Sequence, residues 1–305
     1  MTPILHVEHL SKSYKNLCAV KDLTFSVYPG DVFGFLGQNG AGKSTTLRML
    51  LSLISPSSGS IRIFDKDLLR NRSYVLSKVG AVIEKPDLYK YLSAYQNLSL
   101  FASMSGKKIA KSKLLEQLDK VGLLSRAHSK VATYSQGMKQ RLGIAVALAH
   151  DPELVILDEP TNGLDPQGIA DIRNLILNLS SEGKTIIVSS HLLGEIEQIA
   201  NRMLVMDNGV KLVEGEVSTL LDPTKLKVRI QTLNNSAAYD LFKSSVWSRF
   251  EVKQNEKYLD FTIDKDSMAD LLAFFVHNGI GVLSAEPLHS LEAYFLNLTN
   301  KASHD

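Results

Sequence analysis

Residues 37–45 of this 305-residue chain read GQNGAGKST, placed directly after the strand-like run Val32–Leu36 and before a helical pattern that begins at Lys43. The spacing G-x-x-x-x-G-K-[ST] between a strand and a helix restricts the fold more than any other feature. Gly37, Gly40 and Gly42 let the backbone turn its N–H groups inward around phosphates, and Gln38, Asn39, Ala41 and Thr45 complete the nucleotide-binding stretch. Lys43 brings a point charge to the β and γ oxygens, and Ser44 offers a hydroxyl to Mg²⁺. The helix start adds the positive end of its dipole. The plain alternative is a glycine-rich turn before a helix, and the strand–loop–helix setting argues against it. The loop is read as binding a nucleotide.

Two further segments end buried strands in polar residues. LVILDEP (154–160) delivers Asp158 and Glu159 to the carboxyl end of an apolar strand, where α/β folds bind ligands. Asp158 is placed to orient Mg²⁺, and Glu159 to polarise a water for attack on the γ-phosphate. A solvated Asp-Glu pair is the ordinary reading of such a dipeptide; the apolar strand before it and the phosphate loop upstream favour catalysis. TIIVSSH ends in His191 in the same way, positioned to hydrogen-bond the γ-phosphate. A lone histidine is usually structural, but its place at a strand end gives this one a catalytic assignment. The remaining seven histidines show no metal-ligand spacing.

The rest of the chain organises around these motifs. A net charge of +2 gives no electrostatic case for nucleic acid. A single cysteine, Cys18, excludes an internal disulfide and fits a reducing compartment. The N-terminal MTPILHVEHL has no charged n-region followed by an apolar h-region, so no targeting segment is expected, and the apolar runs Leu142–Ala149 and Leu271–Val276 are far shorter than the ~20 residues that span a bilayer. The spacing predicts strands at Ile4–Glu8, Leu23–Val27 and Val32–Leu36, and a helix from Lys43 with Leu47, Leu50, Leu51 and Ile54 on one face. Residues 88–150 read as helices, with stripes at Leu114, Leu115, Leu118 and Val121 and at Leu142, Val146 and Ala149. LVMDNGVKLV (204–213) reads as a hairpin about Asn208-Gly209. The boundary is set at 220, and residues 221–305 read as a smaller α+β domain, ending in a helix over 289–299 with Leu291, Tyr294, Phe295 and Leu298 on one face.

The phosphate loop, YSQGMKQR (134–141), LVILDEP, GLDP (163–166) and SSH (189–191), in this order, resemble an ABC-transporter ATPase subunit over residues 4–220. The resemblance implies a P-loop NTPase core of α/β class, with an antiparallel β subdomain and a helical subdomain inserted over about 86–150. It implies that Tyr14 stacks on adenine and that Asp165 touches an opposite subunit. Ser135, Gln136 and Gly137 take the place of the family's signature, usually Leu-Ser-Gly-Gly-Gln, which faces the γ-phosphate of ATP held by a second chain. Two ATPs would then lie between two chains, either a homodimer or a heterodimer with a similar ATPase. Here Tyr134, Gln136 and Met138 depart from that signature, and Glu84 stands where the family's Q-loop glutamine contacts Mg²⁺.

These departures, with IEKPDLYKYLSAYQNL and the tail SLEAYFLNLT, resemble the bacitracin-resistance and lantibiotic-immunity exporter ATPases. That narrower resemblance implies membrane-embedded permease partners, a position on the inner face of the cell membrane and outward movement of peptide antibiotics. The wider family resemblance implies permease docking on residues 84–97, where Tyr89, Tyr91 and Tyr95 stand beside Lys85 and Lys90. The alternative for that loop is an ordinary solvated segment. The competing function is an ABC ATPase acting on ribosomes or DNA, against which one uninterrupted cassette argues. A P-loop kinase would have no use for YSQGMKQR.

Overall fold

The structure, a computed structural model, describes residues 2–15, 17–106, 108–220, 225–255 and 257–287. The chain forms two units, Met1–Glu216 and Val217–Asp305. The sequence reading sets this division after residue 220.

The first unit opens with strands β1 (Leu5–Tyr14), β2 (Leu17–Val27) and β3 (Val32–Leu36), then helix α1 (Lys43–Leu50). The segment from β4 (Ser58–Ile63) runs through β5 (Lys66–Asp67) and α2 (Arg72–Leu76) to β6 (Val79–Val82). Helices α3 (Ala94–Met104), α4 (Lys111–Lys120) and α5 (Gln136–Leu148) follow. The chain then alternates: β7 (Leu154–Asp158), α6 (Pro166–Ser181), β8 (Thr185–Ser190), α7 (Leu193–Ile199), β9 (Arg202–Asp207) and β10 (Val210–Glu216).

Two sheets result. One is antiparallel, in the order β2-β1-β4-β5; the other runs β10-β9-β3-β8-β7-β6. In the second sheet β9, β3, β8, β7 and β6 are parallel, and β10 closes its edge antiparallel to β9. Every residue of β3, β7 and β8 is buried, which explains the continuous apolar runs within them: strands covered on both faces have no solvent side to alternate with. Phe25 of the antiparallel sheet stacks on Phe33 (5.7 Å) and meets Phe35 edge-on (5.4 Å), joining the two sheets in one core.

Helix α1 stops earlier than its apolar spacing predicts. Leu47 and Leu50 are buried, but Ser52 turns left-handed (φ 52°), so Ile54 packs on the core from outside the helix. Helix α5 is buried on nearly every side rather than along one stripe. A Cβ on Gly80 of β6 would come within 2.2 Å of the Ala147 carbonyl oxygen, so only glycine lets α5 lie this close to the sheet. The Asn208-Gly209 hairpin forms with both residues at positive φ, as a tight two-residue turn requires.

In the second unit α8 (Val217–Leu220) leads to β11 (Lys225–Thr232), α9 (Asn235–Lys243), β12 (Glu251–Gln254), β13 (Leu259–Asp264), α10 (Met268–His277) and β14 (Val282–Pro287). The β11–β14 sheet is antiparallel in the order β12-β13-β11-β14, a βαββαβ arrangement. Val228, Ile230, Phe242, Phe261 and Phe275 form its core. The helix read over 289–299, with its stripe, lies outside the described residues. Among the described residues no helix is long and apolar enough to cross a membrane.

Candidate nucleotide-binding and catalytic site

The phosphate loop is braced from two sides. The Gly37 amide donates to the Ser190 carbonyl (3.3 Å) at the end of β8. The hairpin turn supports the other side, with Gly209 N donating to Ala41 O (3.0 Å) and Lys21 N to Gly209 O (2.8 Å). Gly40 and Gly42 have φ of 85° and 102°, and a Cβ on Gly42 would meet the Ala19 carbonyl oxygen at 2.5 Å. Both conditions demand glycine. Gln38, Asn39 and Gly40 are exposed at the crest, while Ser44 and Thr45 are partly buried on the first turn of α1.

Lys43 is buried and its ammonium is held by carbonyls of its own loop, Gly37 at 2.7 Å and Gln38 at 3.4 Å. It also meets Glu159 Oε1 at 3.1 Å. The other oxygen of Glu159 takes a hydrogen bond from His191 Nδ1 at 2.8 Å, which fixes the proton on that nitrogen. The three candidate catalytic groups therefore form one chain, Lys43–Glu159–His191. Glu159 sits at φ 47°, an uncommon value for a non-glycine residue, and its amide is tied to Ser189 Oγ (2.9 Å). The same hydroxyl donates to Asp158 Oδ1 (2.5 Å).

Asp158 is fully buried, and its Oδ2 has no hydrogen-bond partner among the described residues. A buried carboxylate oxygen left unpaired is costly unless something completes it. Ser44, on the first turn of α1, carries a second oxygen of the hard type that Mg²⁺ prefers. Among the described residues no group of three or more His, Cys, Asp or Glu side chains is gathered for a metal. A cation here would take most of its ligands from the nucleotide and water. Glu84 is held elsewhere: it has φ 60°, is exposed, and its carboxylate is in an ion pair with Arg48 of α1.

The signature residues face outward. Ser135 is exposed and caps α5, its Oγ accepting from Met138 N at 3.2 Å; Gln136 is also exposed and Gly137 partly so. Tyr134 has a structural reason for replacing the usual leucine: its buried ring sends the hydroxyl to the Arg126 carbonyl at 2.7 Å. Burial pushes that phenol's pKa up. Asp165 is exposed and caps α6 through Gly168 N (3.0 Å). Tyr14 stands exposed at the end of β1, with the Lys12 ammonium 4.9 Å from its ring centroid.

In the 84–97 loop Lys85, Tyr89, Lys90 and Tyr91 are exposed, while Tyr95 is partly buried near His128. Asn97, which sequence reasoning passed over, fixes this loop. Its Oδ1 accepts from Tyr89 N (2.8 Å) and its Nδ2 donates to Tyr89 O (3.0 Å) and Ser93 O (2.9 Å). An asparagine on the buried face of an otherwise amphipathic helix was the available signal. Ser189, although it lies within SSH, and Glu195, which lies in no motif, receive no role from the sequence.

A phosphate loop opening a helix beside strand-end Asp158, Glu159 and His191, on a parallel sheet with an antiparallel layer, defines a P-loop ATPase cassette. The family model of the ABC transporter matches residues 20–162. The chain is 40% identical over 304 residues to the bacitracin transport ATP-binding protein BcrA of Bacillus licheniformis, covering 98% of each. It is 43% identical over 213 residues to the lantibiotic transport ATP-binding protein SrtF of Streptococcus pyogenes, covering 70% of this chain and 91% of SrtF. A solved ATP-binding subunit of an ABC transporter superposes with a TM-score of 0.65 at 31% identity, over 72% of this chain and 92% of its own. The ATP-binding cassette MJ0796, in a dimeric post-hydrolysis state bound to ADP and Pi, gives 0.64 at 25% identity, over 70% and 98%. The chain belongs to the ABC transporter ATP-binding proteins, and it is an ATP-binding ATPase subunit of that kind.

Proposed function

We propose that this subunit powers export of a peptide antibiotic or similar amphipathic compound through separate membrane-embedded permease subunits, from the cytoplasmic face of the membrane. The relatives named for bacitracin and lantibiotic transport support the cargo class. The observation that carries the catalytic part is Glu159 standing between Lys43 and His191 at 3.1 and 2.8 Å. In the working state the nucleotide's phosphates take Lys43 and the backbone cradle of residues 37–45. Glu159 turns to the attacking water, and His191 hydrogen-bonds the γ-phosphate. Mg²⁺, held by Ser44 and Asp158, would neutralise charge on the phosphate oxygens. Glu84 joins that set only by giving up Arg48. Tyr14 supplies the adenine platform.

The exposed Ser135, Gln136 and Gly137 complete the site of a second chain, a copy or a similar ATPase, and Asp165 meets the same partner. A helix start capped by a small hydroxyl is a good anion ligand, and the dimeric MJ0796 cassette supports this pairing. Lys85, Tyr89, Lys90 and Tyr91 receive the permease, and residues 221–305 form an accessory domain. The test is complementation of a deletion strain challenged with bacitracin and lantibiotics, with co-purification of membrane partners. The wild-type gene is expected to restore resistance and retain a polytopic membrane protein. Ser135→Arg is expected to lose hydrolysis, and the double change Lys85→Glu/Lys90→Glu to lose efflux. Co-sedimentation with ribosomes, unchanged efflux in the charge-reversed variant, or full hydrolysis by Ser135→Arg at high dilution would each overturn the corresponding part.

A further inference from the structure

We propose that Glu195 is a positioning residue that locks the Glu159 loop and the His191 loop into one register; the role rests on the assignments of Glu159 and His191 made above. Its Oε2 accepts two hydroxyl hydrogen bonds, from Thr161 Oγ1 at 2.5 Å and from Ser190 Oγ at 3.2 Å. Thr161 lies two positions beyond Glu159, and its carbonyl accepts from Leu164 N (3.2 Å) in the turn that leads to Asp165. Ser190 immediately precedes His191; its Oγ accepts from Leu192 N (3.0 Å), and its carbonyl holds the Gly37 amide. One carboxylate oxygen thus connects the water-activating loop, the histidine loop and, through Ser190, the start of the phosphate loop.

The anchor is rigid. Glu195 sits on α7 beside Ile196, which is fully buried, and a Cβ on Gly34 of β3 would lie 2.3 Å from Ile196 Cγ2. The helix therefore rests directly on the strand that feeds the phosphate loop. Thr161, Ser190 and Glu195 line a recess of about 60 Å³ whose other walls include Ile169, Ile176 and Ile196 together with the polar Arg173 and Gln198. Hydrogen bonds to a charged acceptor beside aliphatic walls are strong and directional. Glu195 acts through Thr161 and Ser190. It sets the angle at which Glu159 and His191 meet, and misplacement by about 1 Å is enough to slow a reaction by about 10²-fold.

The experiment uses the full chain and measures kcat, KM and ADP affinity for four single variants and one double variant. Thr161→Val, which keeps shape and removes the hydroxyl, and Glu195→Ala are expected to lower kcat by about 10- to 100-fold while ADP affinity stays within about twofold. Thr161→Ser and Glu195→Gln, which keep the hydroxyl and the acceptor, are expected to retain kcat within about threefold. The double variant Thr161→Val/Glu195→Ala is expected to be no slower than the slower single, because both remove one connection. Wild-type kcat in Thr161→Val, multiplicative losses in the double, or parallel loss of ADP affinity would each overturn the proposal. Glu159→Gln runs alongside. If it hydrolyses ATP at the wild-type rate, the catalytic assignment itself has failed. If it is inactive while Thr161→Val is unaffected, only the role of Glu195 has.

Discussion

Replacing Glu159 with glutamine removes the charge that Lys43 faces at 3.1 Å while keeping the side chain's shape. Lys43 is 5% exposed and Glu159 17%, so solvent screens this pair far less than one at the surface. Two unit charges about 4 Å apart attract by about 4 kcal/mol at an effective dielectric constant near 20. Only part of that opposes nucleotide binding, because Lys43 keeps the Gly37 carbonyl at 2.7 Å and Glu159 keeps His191 at 2.8 Å. Measured couplings of close charge pairs begin at about 1.5 kcal/mol. At that lower bound, Glu159→Gln is expected to bind ADP about tenfold more tightly than the wild type. ADP is the informative ligand, since its β-phosphate calls on Lys43 but nothing is hydrolysed. Tighter binding then has no origin in blocked turnover. Calorimetric titration without divalent cations measures it, with His191→Ala as the control that leaves the Lys43–Glu159 pair in place. Equal or weaker ADP binding by Glu159→Gln would refute the view that nucleotide displaces this carboxylate from the lysine. Hydrolysis by the same variant is expected to fall by at least about 10²-fold, the scale of a lost general base.

Tyr134→Phe removes the hydroxyl that reaches the Arg126 carbonyl at 2.7 Å and is expected to lower stability by about 1 kcal/mol in chemical denaturation. Gly34→Ala places a methyl 2.3 Å from Ile196 Cγ2 and is expected to cost about 1–3 kcal/mol, read from the same denaturation curves. A change within about 0.5 kcal/mol would show that α7 is not packed as described. Asp151 accepts a hydrogen bond from Lys184, which holds its carboxyl below the ordinary aspartate range. A depressed folded-state value means that stabilisation is present above the unfolded aspartate pKa of about 4 and is lost as pH falls through the lower, folded value. Asp151 is largely exposed, so Lys184→Met is expected to reduce the difference in stability between neutral and acid pH by less than about 1 kcal/mol, measured by melts across that range.

The motifs were legible because each is local: a glycine pattern between a strand and a helix, and polar residues closing apolar runs. Their tertiary relations were not. Nothing near Glu84 in sequence announces Arg48, the partner that holds its carboxylate in an ion pair. Ser189 reads as one more residue of a buried strand, yet it ties both Asp158 and the Glu159 backbone. The left-handed turn at Glu159 leaves no trace in composition, because the conformation is imposed by neighbours rather than by a glycine. Helix α1 ends before its apolar spacing does, for a related reason. Apolar spacing continued to Ile54, but Ser52 breaks the helix while leaving Ile54 against the core.

What the motifs required in addition was register. In the sheet Leu36 pairs with Ser190 across β3 and β8, and Asp158 pairs with Ser189 across β7 and β8. The three loops that carry Lys43, Glu159 and His191 therefore leave adjacent strands at almost the same level. Side chains alternate along a strand, so a slip of one residue in β7 would turn Asp158 to the opposite face of the sheet and move the Glu159 loop along by about 3 Å. Residues that touch no nucleotide decide that level. Val155, Ile156 and Leu157 are wholly buried, and each pairs with a buried residue of β8. The aliphatic run before Asp158 supplies the burial that holds β7 against β8, and Ser189, bonded to Asp158 Oδ1 at 2.5 Å and to the Glu159 amide at 2.9 Å, pins the level at which Lys43, Glu159 and His191 meet at 3.1 and 2.8 Å.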